Sequence, residues 1–432
     1  MSAKCGFVVA APTSGAGKTL VTLGLLGALR RRGYDVAATK SGPDYIDPQF
    51  HQAATGHPSV NLDAWAMTAD TIQSRAANQP GDVLLVEGAM GVLDGAGVEG
   101  HGSVAELANI LGLPVVLVVD ASKTAQSAVL SAIGLRTMKP DLLLAGIILN
   151  RVGSPRHEAA LRQAFNKAEL TVLGVLPRMA DLVLPERHLG LVQAMESDGL
   201  DATLERVARL VEERVDLDQL LDASCPLDRK ADAQRFTPIG QRIAVARDVA
   251  FAFSYPHMLH DWRAQGAEVV FFSPLADDSP PENCDAIFLP GGYPELHAEQ
   301  LAQASTFKRG VQSAAGNGKT IYGECGGYMV LGETLTDADG ATHNMLGLLP
   351  VATSFARRKL HLGYRLLRPV EGSLFQEPLA GHEFHYASIT SEAEENRLFE
   401  VEDAFGEILP AMGHRNGRTS GSFAHIIGPL PV

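Results

Sequence analysis

The sequence predicts an α/β chain of two sheet-based domains in tandem, and three observations predict it. Short apolar runs alternate with helix-period segments through the first half. A polar stretch over residues 215–241 breaks that pattern, and apolar runs then resume. The third observation is "APTSGAGKT" (Ala11–Thr19), a glycine-rich turn between the first apolar run and the first helical segment.

The runs of the first half are "GFVVAA", "DVAATK", "VLLVEG", "VVLVVD", "GIILNR" and "VLGVLP". Between them lie segments such as "TLVTLGLLGALRRRG", whose leucines recur at helical spacing and which closes on Gly33. Continuous apolar strands separated by helices specify a mostly parallel sheet covered on both faces. Glu87, Asp120 and Asn150 fall at the ends of these runs, on the carboxyl edge where open α/β sheets bind ligands. The polar stretch, interrupted by two prolines and without sustained period, reads as a linker with one short helix. "RIAVARD", "EVVFFS", "DAIFLPGG" and "TIYGECGG" restart the strand pattern, and "HLGYRLLRP" with "HEFHYASIT" reads as antiparallel structure. The expected division is therefore 1–214, a linker over 215–241, and 242–432.

The 432 residues are 46% hydrophobic and 20% charged, an ordinary globular balance with enough chain for two or three cores. A formal charge of −14 argues against nucleic acid or an anionic membrane as partner. Cys5, Cys225, Cys284 and Cys325 show no metal-ligand spacing. The N-terminal apolar run enters the glycine loop directly and reads as a buried strand rather than a signal peptide. No apolar stretch is long enough to span a bilayer. The expectation is a cytoplasmic enzyme with reduced thiols.

"APTSGAGKT" departs from G-x-x-x-x-G-K-[ST] only in its first glycine, here Pro12. A turn of this kind, over Thr13, Ser14, Gly15, Ala16 and Gly17, aims backbone N–H groups at phosphates, and the following helix dipole adds attraction. Lys18 would meet the β and γ phosphates and Thr19 would hold Mg²⁺. Thr13 stands where partitioning-type ATPases carry an extra lysine. "VLLVEGAMG" sets Glu87 at a strand end, able to bind a metal directly or through water. "KSGPDYIDP" groups Lys40, Asp44 and Asp47 in one loop. Lys40 suits a transferring phosphoryl group, and either aspartate suits a metal or a substrate.

"PGGYPE" (Pro290–Glu295) and "YGECGGYM" (Tyr322–Met329) carry a second chemistry. Cys325 follows an apolar strand and precedes a helical segment, a nucleophile-elbow arrangement whose helix N-terminus is expected to lower the thiol pKa. The N–H of Gly326 and one from Gly291 or Gly292 suit an oxyanion hole. "GSFAHIIG" supplies His425 as the base. The pair His382 and His385 in "GHEFHY" lacks helical zinc spacing and fits a structural or substrate-contact role.

The loop, Lys40, the acidic loop, Glu87 and Asn150 resemble the dethiobiotin-synthetase type of P-loop enzyme, which phosphorylates a carboxylate or carbamate with ATP. That resemblance implies Asn150 against the adenine and Thr19, Asp44 and Glu87 around the metal. The two halves together resemble a class I glutamine amidotransferase domain fused behind an ATP-dependent ligase domain, as in the cobyrinic or hydrogenobyrinic acid a,c-diamide synthase family. Its carriers are "APTSGAGKT", "KSGPDYIDP", "VEGAMGVLDG", "ILNRVG", "PGGYPEL", "GECGGYM", "GHEFHY" and His425, in that order over nearly the whole chain. Many class I glutaminases have a Glu two residues after the histidine. Here that position is Ile427, as in the corrinoid amidases, so what orients His425 is open.

By that resemblance, ATP with Mg²⁺ phosphorylates a peripheral carboxylate of a corrinoid polycarboxylic acid held by Tyr45, Asp47 and Asp94. Ammonia released from L-glutamine by Cys325 and His425 then attacks the acyl phosphate, and an enclosed path would keep it nucleophilic. Arg151, Arg187 and "RRKLH" (Arg357–His361) are candidates for a basic patch toward that acid. The partners implied are small molecules, with a homodimer left open. A sister amidase on a nickel sirohydrochlorin or on cobyric acid precursors is the nearest alternative. A cytidine-triphosphate synthase-like fusion is disfavoured by Ile427, and a P-loop switch with a degenerate Cys325 domain by the intact "GECGG".

Overall fold

The runs of Val, Leu and Ala become the central strands of an open sheet. In the computed structural model β1 (Cys5–Ala10), β2 (Val36–Ser41), β3 (Val60–Leu62), β4 (Val83–Glu87), β5 (Val115–Asp120), β6 (Leu144–Val152) and β7 (Val172–Pro177) lie in the order β3-β2-β4-β1-β5-β6-β7. All these pairings are parallel. The structure describes residues 4–179, 186–187, 190–191, 199–227 and 233–431. It divides the chain into two units, Met1–Gln234 and Arg235–Val432.

In the first unit β2 and β4 are buried along their whole length, and β1 and β5 at all but one end residue, which is why their sequences are apolar without alternation. The chain crosses from β1 to β2 on one side of β1 and continues to β5, β6 and β7 on the other. The loop after β1 therefore opens at the point where the strand order reverses. It leads into α1 (Lys18–Arg31), whose N-cap Gly17 has φ 86°, a left-handed conformation that costs glycine little. β3, only three residues long, is too short to show as an apolar run. Within 215–241, Leu217–Asp222 is helical with Asp216 as its N-cap, and Cys225–Pro226 pairs antiparallel with the start of β1.

The second unit is built on a ten-stranded mixed sheet. Its parallel part places Ala286–Leu289 beside Thr320–Glu324, and the latter beside Thr419–Ser422. The antiparallel part contains His361–Pro369 against Leu379–His385, and the latter against the strand His425–Pro429. The turns after Leu289 and Glu324 thus lie at the same strand ends, and His425 opens a strand of the same sheet.

Candidate active sites

Sheet register assembles the first site. β2 and β4 pair Lys40 with Glu87, so both side chains leave the same edge. α2 (Asp47–Thr55) starts just beyond β2 and presents Asp47 and His51 on one face, at i and i+4. Lys40 Nζ forms an ion pair with Asp47 and lies 3.1 Å from Glu87 Oε1. Thr19 Oγ1 donates to Glu87 Oε1 at 2.7 Å and lies 3.5 Å from Asp47 Oδ2. His51, fully buried, meets Glu87 Oε2 through Nε2 at 2.7 Å and Ser59 Oγ through Nδ1 at 3.0 Å. Asp44 stands further out. Its Oδ1 accepts from the N–H groups of Ile46 and Asp47 at 2.7 and 3.1 Å, and its Oδ2 is 4.0 Å from Lys40.

Burial pushes the Glu87 carboxyl up, but Lys40 and the hydrogen bonds from His51 and Thr19 outweigh it and hold Glu87 well below the usual range. Burial and the neighbouring Asp44 push Asp47 up, against the pull of Lys40. Burial likewise opposes charge on Lys40, yet Asp47, Glu87 and Asp44 together raise it, so this lysine is a fixed cation among carboxylates. Lys18 is brought down to about 8 by burial and then by Lys40. Its ammonium donates to the Met90 carbonyl in the loop after β4.

The glycine turn is pinned from β6. Asn150 Nδ2 donates to the Ala16 carbonyl at 2.9 Å, and a Cβ at Gly17 would collide with that amide. Arg151, at φ 58°, donates to the Gly15 carbonyl at 2.8 Å and to Asp120 Oδ2 at 2.6 Å. Arg151 thus braces the loop, a contact the basic-patch reading did not anticipate. Asp94 Oδ2 accepts from Gly91 N at 2.8 Å and closes the turn after β4. Tyr45 sits between Asp44 and α2, half-buried. Arg187 lies outside the residues whose side chains are described. Arg357 to Leu360 are exposed, with His361 half-buried beside them.

In the second unit Cys325 occupies the sharp turn between Thr320–Glu324 and the helix Gly326–Leu331, with φ 46° and ψ −105°. A non-glycine residue there is strained, as an elbow that projects a nucleophile requires. Gly291 fixes its surroundings. An added Cβ would collide with His425 Cε1 and lie 3.2 Å from His425 Nε2 and 3.3 Å from Cys325 Cβ. Cysteine, histidine and glycine backbone therefore meet at one point. A Cβ at Gly326 would lie 3.1 Å from the Gly292 amide nitrogen, so these two backbones also adjoin.

The expected low thiol pKa is corrected by this geometry. Burial pushes the Cys325 thiol up, the Glu295, Glu383 and Glu324 carboxyls add to it, and the Gly326 N–H opposes them without prevailing. Burial, then His382 and His385, bring His425 down to about 3. Glu324, the residue before the cysteine, places Oε2 3.8 Å from His425 Nδ1, and its Oε1 accepts from Ile426 N at 3.0 Å. His382 sits across from His425 in the sheet, edge-on to Tyr364. His385 bonds Glu383 at 2.8 Å and stacks on Phe423. His361, Glu383 and His385 bring ligand atoms within 4.8 Å of one another. Arg365 already occupies Glu383 Oε2 at 2.8 Å, however, so this cluster is charge-paired within itself.

Glu324 and His51 escaped the sequence reading. The spacing Asp47–His51 on a helix with Pro48 in its first turn was a usable signal for His51. Glu324 had none, because its partner lies about a hundred residues away on another strand.

Residues 7–192 match the family of CobQ/CobB/MinD/ParA nucleotide binding domains, and residues 242–428 match that of CobB/CobQ-like glutamine amidotransferase domains. A nucleotide-binding half followed by a glutaminase half defines a glutamine-dependent amide ligase. The chain is 55% identical over 428 residues to a hydrogenobyrinate a,c-diamide synthase of Brucella anthropi, covering 98% of each. Against the protein of that name from Rhizobium meliloti the identity is 53%, over 98% of this chain and 99% of the relative. The one from Mesorhizobium japonicum is 49% identical over 97% and 98%. This chain belongs to the hydrogenobyrinate a,c-diamide synthase family.

Proposed function

We propose that the chain converts the a and c carboxylates of hydrogenobyrinic or cobyrinic acid to amides in cobalamin biosynthesis, with ATP and L-glutamine as co-substrates. Residues 1–214 are assigned to carboxylate activation and 242–432 to ammonia release. The observation that carries the reading is the meeting of Cys325, His425 and Gly291 in a chain that also gathers Lys18, Thr19, Lys40 and Glu87 at a phosphate loop. Relatives of the same name match it over both halves.

A carboxylate is a poor electrophile because its oxygen is a poor leaving group. The substrate carboxylate attacks the γ-phosphorus of ATP, ADP leaves, and an acyl phosphate forms. Lys18 and the Gly15–Gly17 amides hold the phosphates, and Lys40 offsets charge on the transferring group. Thr19, Glu87 and Asp47 present oxygens close enough together to fit a hard divalent cation, with Asp44 behind them. Bound there, Mg²⁺ would neutralise phosphate charge. Asn150 and Arg151 keep the loop in shape, and Tyr45 and Asp94 are assigned to the acid substrate.

In the second unit the Cys325 proton passes to His425 as the sulfur attacks the glutamine amide carbon. The tetrahedral oxyanion is received by backbone N–H groups at Gly326 and at Gly291 or Gly292. Ammonia leaves, and water hydrolyses the γ-glutamyl thioester to glutamate. Ammonia attacking the acyl phosphate expels phosphate and leaves the amide. The partners are small molecules. The chain is assigned to the cytoplasm on the free state of all four cysteines; among the described residues no helix is long and apolar enough to cross a membrane.

The test is product mass with each candidate acid, with glutamine and then with ammonium as nitrogen donor. Two carboxylates should become amides, and ATP and glutamine hydrolysis should both rise when the corrinoid is added. Cys325→Ala should abolish amidation from glutamine and retain it from ammonium. Loss of both, or ATP turnover indifferent to the acid, would sink the reading.

A further inference from the structure

The histidine of a cysteine–histidine pair needs a partner that fixes its tautomer and holds the imidazolium formed when the thiol gives up its proton. Here the position two residues after His425 is Ile427, a buried hydrocarbon. The carboxyl nearest the ring comes instead from the nucleophile's own strand. Glu324 Oε2 lies 3.8 Å from His425 Nδ1, with only 1% and 2% of the two side chains exposed. Its other oxygen accepts from Ile426 N at 3.0 Å, so the carboxyl is moored to the residue that follows the histidine.

We propose that Glu324 is the positioning acid of the glutaminase site, orienting His425 through Nδ1 and stabilising its protonated form. The assignment rests on Cys325 and His425 being the glutaminase pair. As the Cys325 proton moves to Nε2, the Nδ1–H turns toward Glu324, which accepts it as a carboxylate and takes no proton. A side chain on the strand before the cysteine thus does what the missing acid does elsewhere from the strand of the histidine.

This gives the site a pH signature. Burial raises the Glu324 carboxyl to about 8, against the hydrogen bond from Ile426 N. The other ionisable groups facing the pair are His382 and His385 near His425, and Glu295 and Glu383 near Cys325, with Glu383 already paired to Arg365. Glutamine hydrolysis therefore climbs with pH as Glu324 ionises.

The experiment is Glu324→Gln in the full chain, which keeps the shape and an oxygen for Ile426 N. Expected are a fall in kcat for glutamine hydrolysis on the order of 100-fold, little change in KM for glutamine, and loss of the limb near pH 8. Amidation from ammonium should be unaltered. Glu324→Asp keeps the acid but draws it back from Nδ1 by one methylene, and should lower kcat while a pH limb is retained. An unchanged kcat in Glu324→Gln overturns the proposal. A fallen kcat with the limb intact assigns Glu324 a structural role and overturns it equally. Should the Gln variant not fold, a kcat unchanged in Glu324→Asp overturns it. Cys325→Ala is run alongside: if it still hydrolyses glutamine, the glutaminase assignment itself has failed, which is a separate result.

Discussion

Gly291 shows how little room the second site leaves. A methyl group there would meet His425 and approach Cys325 Cβ to 3.3 Å, and neither neighbour can yield, since both are buried. Gly291→Ala should cut glutamine-dependent amidation at least ~100-fold, the scale of a misplaced catalytic group, with amidation from ammonium retained. Steady-state rates with the two nitrogen donors check this. At this scale Lys18, Thr19, Cys325 and His425 are legible in the sequence, because each belongs to a local pattern whose spacing has a physical purpose. Spacing alone does not separate Asp44 from Asp47, since both suit a metal or a substrate, and the resemblance assigns Asp44 to the metal and Asp47 to the acid. One Asp44 oxygen accepts from the N–H groups of Ile46 and Asp47 while Asp47 faces Thr19 and Lys40, which supports the change of roles proposed above, with Asp47 at the metal and Asp44 behind it. Glu324 was illegible because side-chain proximity across strands leaves no trace in local spacing.

Elements place these residues by register and by helix phase. Lys40 meets Glu87 because β2 and β4 are in parallel register there, and Asp47 and His51 converge on that pair because α2 sets them one turn apart. The end of β6 holds the glycine turn through Asn150 and Arg151. Asn150→Ala should leave the Ala16 carbonyl without that donor and loosen the turn, raising the KM for ATP about 5- to 10-fold, as expected for one lost hydrogen bond. Titration of ATP hydrolysis in the full chain measures it, and an unchanged KM would mean the turn holds its shape without β6. The parallel strands were legible from continuous burial. The short β3 and the Cys225–Pro226 pairing were not, because neither is long enough to develop a period.

For the second unit as a whole, buried neutral groups set the pH response. His425 and His382 are lowered to about 3 and about 4, chiefly by burial. The unfolded chain takes up their protons below about pH 6.5, so each costs about 1.4 kcal/mol per pH unit as pH falls through that window. Glu324, raised to about 8, acts in the opposite sense, and its stabilisation is lost as pH climbs from the unfolded carboxyl value toward 8. Two histidines outweigh one carboxyl on the acid side, so stability should peak near pH ~6.5. Denaturant unfolding followed by the buried Trp262 would show it, and Glu324→Gln should flatten the alkaline decline. A stability rising steadily to pH 9 would contradict these assignments. The division into two α/β bodies was the most legible feature of the molecule, since it depends on patterning summed over many residues.

One small ribbon in the first unit has a wider meaning. Cys225–Pro226 lies beside Cys5–Gly6, and Leu227 N donates to the Lys4 carbonyl at 2.9 Å. The start of β1 and the segment Cys225–Leu227 therefore meet at the amino end of β1, while the phosphate loop occupies the opposite end of the same strand. Two stretches more than two hundred residues apart in sequence thus lie side by side. A bond joining them, with the chain reopened at an outlying turn, should leave the sheet threaded as it is and its nucleotide edge undisturbed.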